Sequence, residues 1–156
     1  MIKLLLIISL FLTSLFSNNM ILNSTDIITD GKPVMLIFSS KTCPYCDVLK
    51  KDLVDNKELN ALAKELNIYE IKRDEYKEYS LWGKKTNLRT LEQTFMIKIT
   101  PNVILFDKAG RKIFQSPGYP QPSILIPYLR FIKGLDDGTY KITEFKEFLQ
   151  KEGLIK

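Results

Sequence analysis

The sequence predicts an α/β domain built on a mixed central sheet flanked by helices, and three observations carry that prediction. An unbroken apolar run, Pro33 to Phe38, has the length and composition of a strand buried on both faces. An amphipathic segment that opens at Cys43 and Cys46 follows it directly. Farther along, Val103 to Phe106 and Arg111 to Gln115 flank the turn Asp107-Lys108-Ala109-Gly110 and read as a hairpin. The 156 residues amount to about one domain. With 45% apolar and 26% charged residues, the composition fits a packed core and excludes collagen-like, coiled-coil and disordered chains.

The first element is an address rather than part of the core. Lys3 is followed by an uncharged run from Leu4 to Phe16, then by Ser17-Asn18-Asn19. This is the charged, apolar and polar order of a secretory signal. The run is about 13 residues, short of the roughly 20 that span a bilayer. Residues 1–19 are therefore expected to be a signal peptide, with cleavage near Ser17. Leu15 is larger than a signal peptidase prefers and Met20-Ile21-Leu22 extends the apolar stretch, so an uncleaved anchor stays open. Residues 20–156 are expected to form one domain with a C-terminal helical extension, exported to the periplasm.

Within that domain, Pro33 to Phe38 is the candidate central strand, and Ser39-Ser40-Lys41-Thr42 is a polar loop leading to the cysteines. Val48, Leu49 and Leu53 give the next segment a helical face. Thr42 is its expected cap, and Pro44 suits its first turn, where a missing N–H costs nothing. A second helix, Lys57 to Leu66, aligns Leu59, Leu62, Ala63 and Leu66, and Ile68 to Lys72 alternates as a strand. Asp74 to Lys85, with the lone Trp82, reads as an irregular insertion or a loose helix before the segment Leu88 to Phe95. After the hairpin and Gly118, a helix is expected from Pro122 to Lys133, starting late or kinking at Pro127. A last helix, Thr143 to Lys151, has Thr143 as its expected N-cap and Phe145, Phe148 and Leu149 on one side.

Composition narrows the chemistry. The chain has no histidine and only two cysteines. Catalytic triads with histidine, histidine-rich metal sites and histidine general-base chemistry are excluded, as is a disulfide-stapled miniprotein. The net charge of +5 comes from basic residues interleaved with acidic ones, as in Lys50-Lys51-Asp52 and Lys146-Glu147. A nucleic-acid partner is not expected, because phosphate tracking needs a stripe of one sign.

Cys43-Pro44-Tyr45-Cys46 is the motif that carries chemistry. At a helix N-terminus, orphan N–H groups and the dipole favour negative charge, which lowers the pKa of the first thiol. Cys43 is then the attacking nucleophile. Cys46, one turn deeper, resolves the mixed disulfide, Pro44 stiffens the loop, and Lys41 adds positive field. Other readings stay open beside this one. Zinc needs about four ligands and finds no second pair here. A two-thiolate copper(I) carrier is physically possible. A structural disulfide closes so small a loop that it removes little unfolded-state entropy.

Cys43-Pro44-Tyr45-Cys46 after an apolar strand, with Thr100-Pro101 about 55 residues later leading into Val103 to Phe106, resembles the thioredoxin superfamily over residues 30–133. The resemblance implies a thioredoxin fold, a thiol-disulfide oxidoreductase activity without cofactor, and a cis Pro101 that places the Thr100 backbone beside the sulfurs to pair with an extended substrate. From the residues alone a trans turn at Pro101 remains open. Pro44, Tyr45, Thr100, Pro101 and Gly118 are the substrate-binding residues it implies. Ile37 stands where cytosolic thioredoxins keep a buried acid, and Thr42 where they keep tryptophan. The Pro-Tyr dipeptide is similar to that of glutaredoxins. Periplasmic isomerases of the Dsb group also show a Thr before the first cysteine and before the cis-proline, whereas Dsb oxidases carry a histidine in the dipeptide. Gly118-Tyr119 with a following helix resembles exported thioredoxin-like proteins related to those of sulfur oxidation and cytochrome c maturation. The expected function is a monomeric reductase of protein disulfides, kept reduced by a membrane donor such as a thiol-reducing transporter. The alternatives are a disulfide isomerase, for whose dimerisation domain no room is expected, and a copper(I)-binding module.

Overall fold

The computed structural model describes residues 20–156; the signal peptide expected over 1–19 lies outside the described residues. Two short strands, β1 (Ile21–Leu22) and β2 (Asp26–Ile27), lead to β3 (Val34–Ser39). Then come α1 (Pro44–Asp55), α2 (Lys57–Ala63) and β4 (Asn67–Lys72). A hairpin of β5 (Glu78–Leu81) and β6 (Lys84–Asn87) precedes α3 (Leu88–Thr94). The hairpin of β7 (Asn102–Phe106) and β8 (Lys112–Pro117) is followed by α4 (Pro122–Asp137) and, after a 3₁₀ turn at Ile142–Glu144, by α5 (Phe145–Lys151). No helix among the described residues is long and apolar enough to cross a membrane.

The main sheet has five strands in the order β1-β4-β3-β7-β8. β1, β4 and β3 run parallel, while β7 and β8 run antiparallel to their neighbours, so the sheet is mixed. β3 lies at its centre with every residue buried. Its side chains alternate between two cores, as a period of two requires. Val34, Leu36 and Phe38 pack with Leu88, Leu91 and Phe95 of the α3 side. Met35 and Ile37 pack with Leu49 and Leu53 of α1, Leu59 of α2, and Leu125 and Leu129 of α4. This is why the run carries no alternation in sequence: both faces are interior. Each such side chain contributes roughly 1.5–3 kcal/mol of transfer free energy, against about 1–2 kcal/mol of backbone entropy per residue fixed.

Four local expectations need correction. Residues 74–85 are not a loose helix. Most of their length joins β5 and β6 through the two-residue turn Trp82-Gly83, and β5 pairs with β2 in a second, three-stranded sheet. Both turn residues have positive φ, 52° at Trp82 and 76° at Gly83. Hairpin turns of that hand normally recruit Asn or Asp before Gly. Here the indole packs edge-on against Phe106, with ring centroids 5.5 Å apart, and tertiary packing holds the unusual backbone.

Thr42 does not cap α1. Cys43 is itself the N-cap residue and no side chain caps the helix. α4 does not start late: it begins at Pro122 with Pro127 inside it, continues to Asp137, one turn beyond Lys133, and ends at Gly138 with φ 80°. The carbonyl that loses its donor to Pro127 is that of Ser123, an exposed first-turn residue where water can serve instead. Thr143 likewise caps nothing. The Glu144 carboxylate reaches back to accept the Lys141 backbone N–H at 2.6 Å, and the 3₁₀ turn intervenes before α5.

The C-terminal segment is fastened to α4 by aromatic packing. Phe131, Phe148 and Leu149 form a buried cluster, with Tyr140 stacked on Phe131 at 5.7 Å. The Tyr140 backbone N–H donates to the Gly134 carbonyl at 2.9 Å. That bond lays the ring over Gly134 so closely that a Cβ there would stand 2.1 Å from Tyr140 Cδ2. Gly134→Ala gains about 1 kcal/mol of helix propensity but must displace the ring. Overpacking of this kind costs about 1–3 kcal/mol, so the variant is expected to unfold at a lower urea concentration than wild type. A higher midpoint would show that Tyr140 is not seated there.

Candidate functional site

The strand-to-helix connection places both sulfurs. β3 ends at Ser39, a short loop follows, and α1 begins immediately after Cys43. Cys43 and Cys46 are joined as a disulfide with their Cα atoms 5.3 Å apart, inside the range a bridge requires. Cys43 is 7% exposed and Cys46 2%, so the first cysteine is the less deeply buried of the pair. The Cys46 N–H donates to the Cys43 carbonyl at 3.0 Å, closing the first turn. With Pro44 lacking an N–H and no side-chain cap, the positive end of the helix dipole is left to the Cys43 sulfur. Asp47 in the same turn opposes part of that field.

Two polar contacts fix the loop. Ser40 Oγ and Thr100 Oγ1 are hydrogen-bonded at 3.1 Å, tying the cysteine loop to the segment before Pro101. The Lys41 backbone N–H donates to Asp74 Oδ2 at 2.5 Å, tying it to the turn that follows β4. The Thr100–Pro101 peptide bond is cis, as the resemblance implies. The Gly118 N–H donates to the Pro101 carbonyl at 2.8 Å, which brings the end of β8 alongside. Thr100, Pro101 and Gly118 are thus joined to one another and to Ser40 by direct contacts. Pro44 and Tyr45 lie in the first turn of α1, with Tyr45 61% exposed.

Sequence reasoning missed a group beside the cysteines. Tyr45 stacks on Tyr119, with ring centroids 6.0 Å apart and planes at 17°, and the Tyr119 hydroxyl donates to the Asp52 carboxylate of α1. Lys50 and Asp52 read in sequence as members of a solvated mixed-charge run, yet each has a partner inside the fold. Lys50 Nζ pairs with Glu70 at 2.5 Å, and the Ser39 hydroxyl donates to the same carboxylate oxygen at 2.7 Å. Ile37 is fully buried among apolar residues, as its place in the strand suggests. The carboxylate on that side of the sheet is Glu70, the parallel neighbour of Ile37 on β4. The only hint in the sequence was spacing: Lys50 and Asp52 lie one and two turns beyond Cys46 on α1. Among the described residues there is no group of three or more His, Cys, Asp or Glu that could hold a metal ion.

Residues 24–133 match the thioredoxin-like domain family. Among solved structures, a thioredoxin-fold protein from Helicobacter pylori superposes with a TM-score of 0.65 at 23% identity, covering 86% of this chain and 92% of that one. A thioredoxin from Thermus thermophilus gives 0.51 at 18% identity, covering 70% and 79%. A thioredoxin-like protein from Clostridium perfringens gives 0.50 at 22% identity, covering 78% and 90%. At these identities the likeness to the solved structures is one of fold. No curated protein matches the sequence.

Burial and the adjoining Asp52 carboxylate push the Tyr119 hydroxyl up to about 12. Folding therefore favours the protonated phenol. Its contribution is complete below the free-tyrosine value near 10 and is lost as pH rises through about 12. In Asp52→Asn the charge is gone but the burial remains. An NMR titration of the oxidised full chain should show Tyr119 ionising at lower pH than in wild type, still above about 10. An unchanged midpoint would mean that Asp52 does not govern this hydroxyl.

Proposed function

The chain belongs to the thioredoxin-like domain family and, with its Cys43–Cys46 couple, is a thiol-disulfide oxidoreductase; from that premise we propose that it reduces protein disulfides in the periplasm. The observation that carries the reading is the position of the couple, at the first turn of α1, which no side chain caps, with Cys43 the less deeply buried cysteine. In the dithiol form the Cys43 thiolate attacks one sulfur of a substrate disulfide. A Cys43–substrate bond forms and the other substrate cysteine leaves as a thiolate. The Cys46 thiolate then attacks Cys43 Sγ, forming the Cys43–Cys46 bond and releasing the second substrate thiolate. Two electrons have passed from the couple to the substrate. A membrane thiol donor, such as a thiol-reducing transporter, returns them.

Support for the direction of transfer is chemical. Pro44 and Tyr45 are neutral and no histidine is available to stabilise the thiolate, while Asp47 opposes it. The dithiol is then less favoured than in a strong oxidant, and the couple is more reducing. Support for the compartment is the apolar run Leu4 to Phe16 with its single preceding charge. Thr100, Pro101 and Gly118 form the edge along which an extended substrate segment lies.

Cys46→Ser removes the resolving thiol. The full chain carrying it is expected to accumulate mixed disulfides through Cys43, visible as reductant-sensitive bands, whereas Cys43→Ser accumulates none. A copper(I) carrier would instead lose metal affinity without trapping proteins. Equilibration of the wild type with glutathione should give a potential nearer the about −270 mV of thioredoxin than the about −120 mV of a strong periplasmic oxidant. A value at the oxidising end would make the protein an oxidase.

A further inference from the structure

β4 is not fully paired along its outer edge. Asn67 at its start and Arg73 just past its end donate their N–H groups to the Pro33 and Ser39 carbonyls, each at 2.9 Å. β3 and β4 are parallel and in register residue by residue, so the odd-numbered residues of β4 bond to β3 and the backbone groups of Ile68, Glu70 and Lys72 face the other way. β1 covers only part of that edge: its two residues pair with Ile68 and Tyr69, and the chain then leaves the sheet. The Lys72 carbonyl accepts the Glu75 N–H at 3.1 Å. The Glu70 carbonyl and the Lys72 N–H have no partner among the described residues.

A recess of about 390 Å³ opens at this gap, bordered by residues 23–25 and Tyr79. That volume lies in the range of ligand sites, about 300–1,000 Å³. Charged side chains line the rest. Lys50 pairs with Glu70 at 2.5 Å and the Ser39 hydroxyl donates to the same oxygen, so that carboxylate is satisfied from within the fold. Glu75 is shared: Lys77 reaches it at 2.5 Å and Lys72 at 3.4 Å. Two ammonium groups on one carboxylate leave a positive charge in excess, on half-exposed lysines beside the open Lys72 N–H.

In a parallel ladder, one residue gives its N–H to the carbonyl of a neighbouring-strand residue and accepts the N–H of the residue two farther on. The Glu70 carbonyl and the Lys72 N–H are such a pair. One residue of an extended segment, running in the direction of β1 and β4, closes both. The residue after it then lies opposite Lys72, with its side chain on the Lys72 face. A carboxylate at that place meets the surplus charge. Backbone pairing and a side-chain contact together are the way exposed sheet edges take up peptides.

We propose that this recess is a second binding site, apart from the Cys43–Cys46 couple, for an extended segment of an acidic partner protein, added to β4 as a short parallel strand with an Asp or Glu opposite Lys72.

The test follows the backbone amides of the isotope-labelled, oxidised full chain by NMR. The probes are acetyl-Val-Asp-amide, its Asn counterpart, and the Asp peptide N-methylated at Val, each titrated at millimolar concentration. The Asp peptide should shift the amides of Lys72 and of residues 23–25, with the Lys72 signal moving downfield as its N–H gains an acceptor. The Asn peptide should bind about two- to fivefold more weakly, the worth of one exposed ion pair. N-methylation should weaken binding by at least about twofold, the worth of one hydrogen bond. The double variant Lys72→Gln, Lys77→Gln keeps every backbone group and should bind the Asp and Asn peptides equally. Shifts absent or confined to other parts of the protein would overturn the proposal. Equal affinity of the wild type for the Asp and Asn peptides, or a preference for Asp that survives in the double variant, would overturn it by removing the acidic partner. An N-methylated peptide that binds undiminished would overturn it by removing the strand addition. The disulfide stays closed throughout, so none of these outcomes depends on the oxidoreductase reading.

Discussion

The strand that enters the cysteine loop must be held from both sides, and the rest of the molecule depends on that constraint. β3 is buried on both faces, so its last residue is fixed relative to α3 on one side and to α1 and α4 on the other. Interiors of this kind are packed as densely as organic crystals and deform little. The chain leaves the strand at Ser39 and enters α1 at Pro44, which leaves the intervening loop little freedom in where it puts Cys43. A couple that must open, accept a partner and close again needs a fixed frame for its second sulfur to return to. Burial of Cys46 against that frame supplies it.

Around the frame, polar contacts bring separate pieces of chain to the same place. The Ser40–Thr100 bond, the Lys41–Asp74 bond and the Gly118–Pro101 bond join the cysteine loop, the turn after β4, the cis-proline turn and the end of β8. The two between neutral groups are worth only about 0.5–1.5 kcal/mol net each and the one on the Asp74 carboxylate up to about 3, less than the apolar burial of β3. Their effect is positional. The burial decides that the sheet forms, and these bonds decide how the loops at its edge are set.

The parts of the fold that were legible in sequence are those where local pattern and tertiary role agree. Pro33 to Phe38 is apolar throughout because both faces are interior, and Asp107 marks the hairpin turn because its carboxylate accepts the Ala109 and Arg111 N–H groups. Where tertiary packing overrode local preference, the reading failed. Trp82 takes a left-handed backbone that sequence rules reserve for Asn, Asp or Gly, because Phe106 holds its ring. Pro127 sits inside α4, where the carbonyl left without a donor belongs to the exposed residue Ser123. At the site, the cysteines and the Thr100-Pro101 pair were readable because their chemistry depends on residue type at fixed spacing. Tyr119, Asp52 and Glu70 were not, since each acts through a partner that only the folded chain brings near.

The central claim is that the fold makes Cys43, and not Cys46, the nucleophilic thiol, through the uncapped N-terminus of α1 and the greater burial of Cys46. Alkylation of the reduced full chain with iodoacetamide across pH, resolved by cysteine with mass spectrometry, tests it most directly. The account predicts that Cys43 is modified first, with a midpoint below the about 8.5 of a free thiol, while Cys46 is largely spared. Equal modification of both cysteines, or a Cys43 midpoint at or above about 8.5, would contradict it.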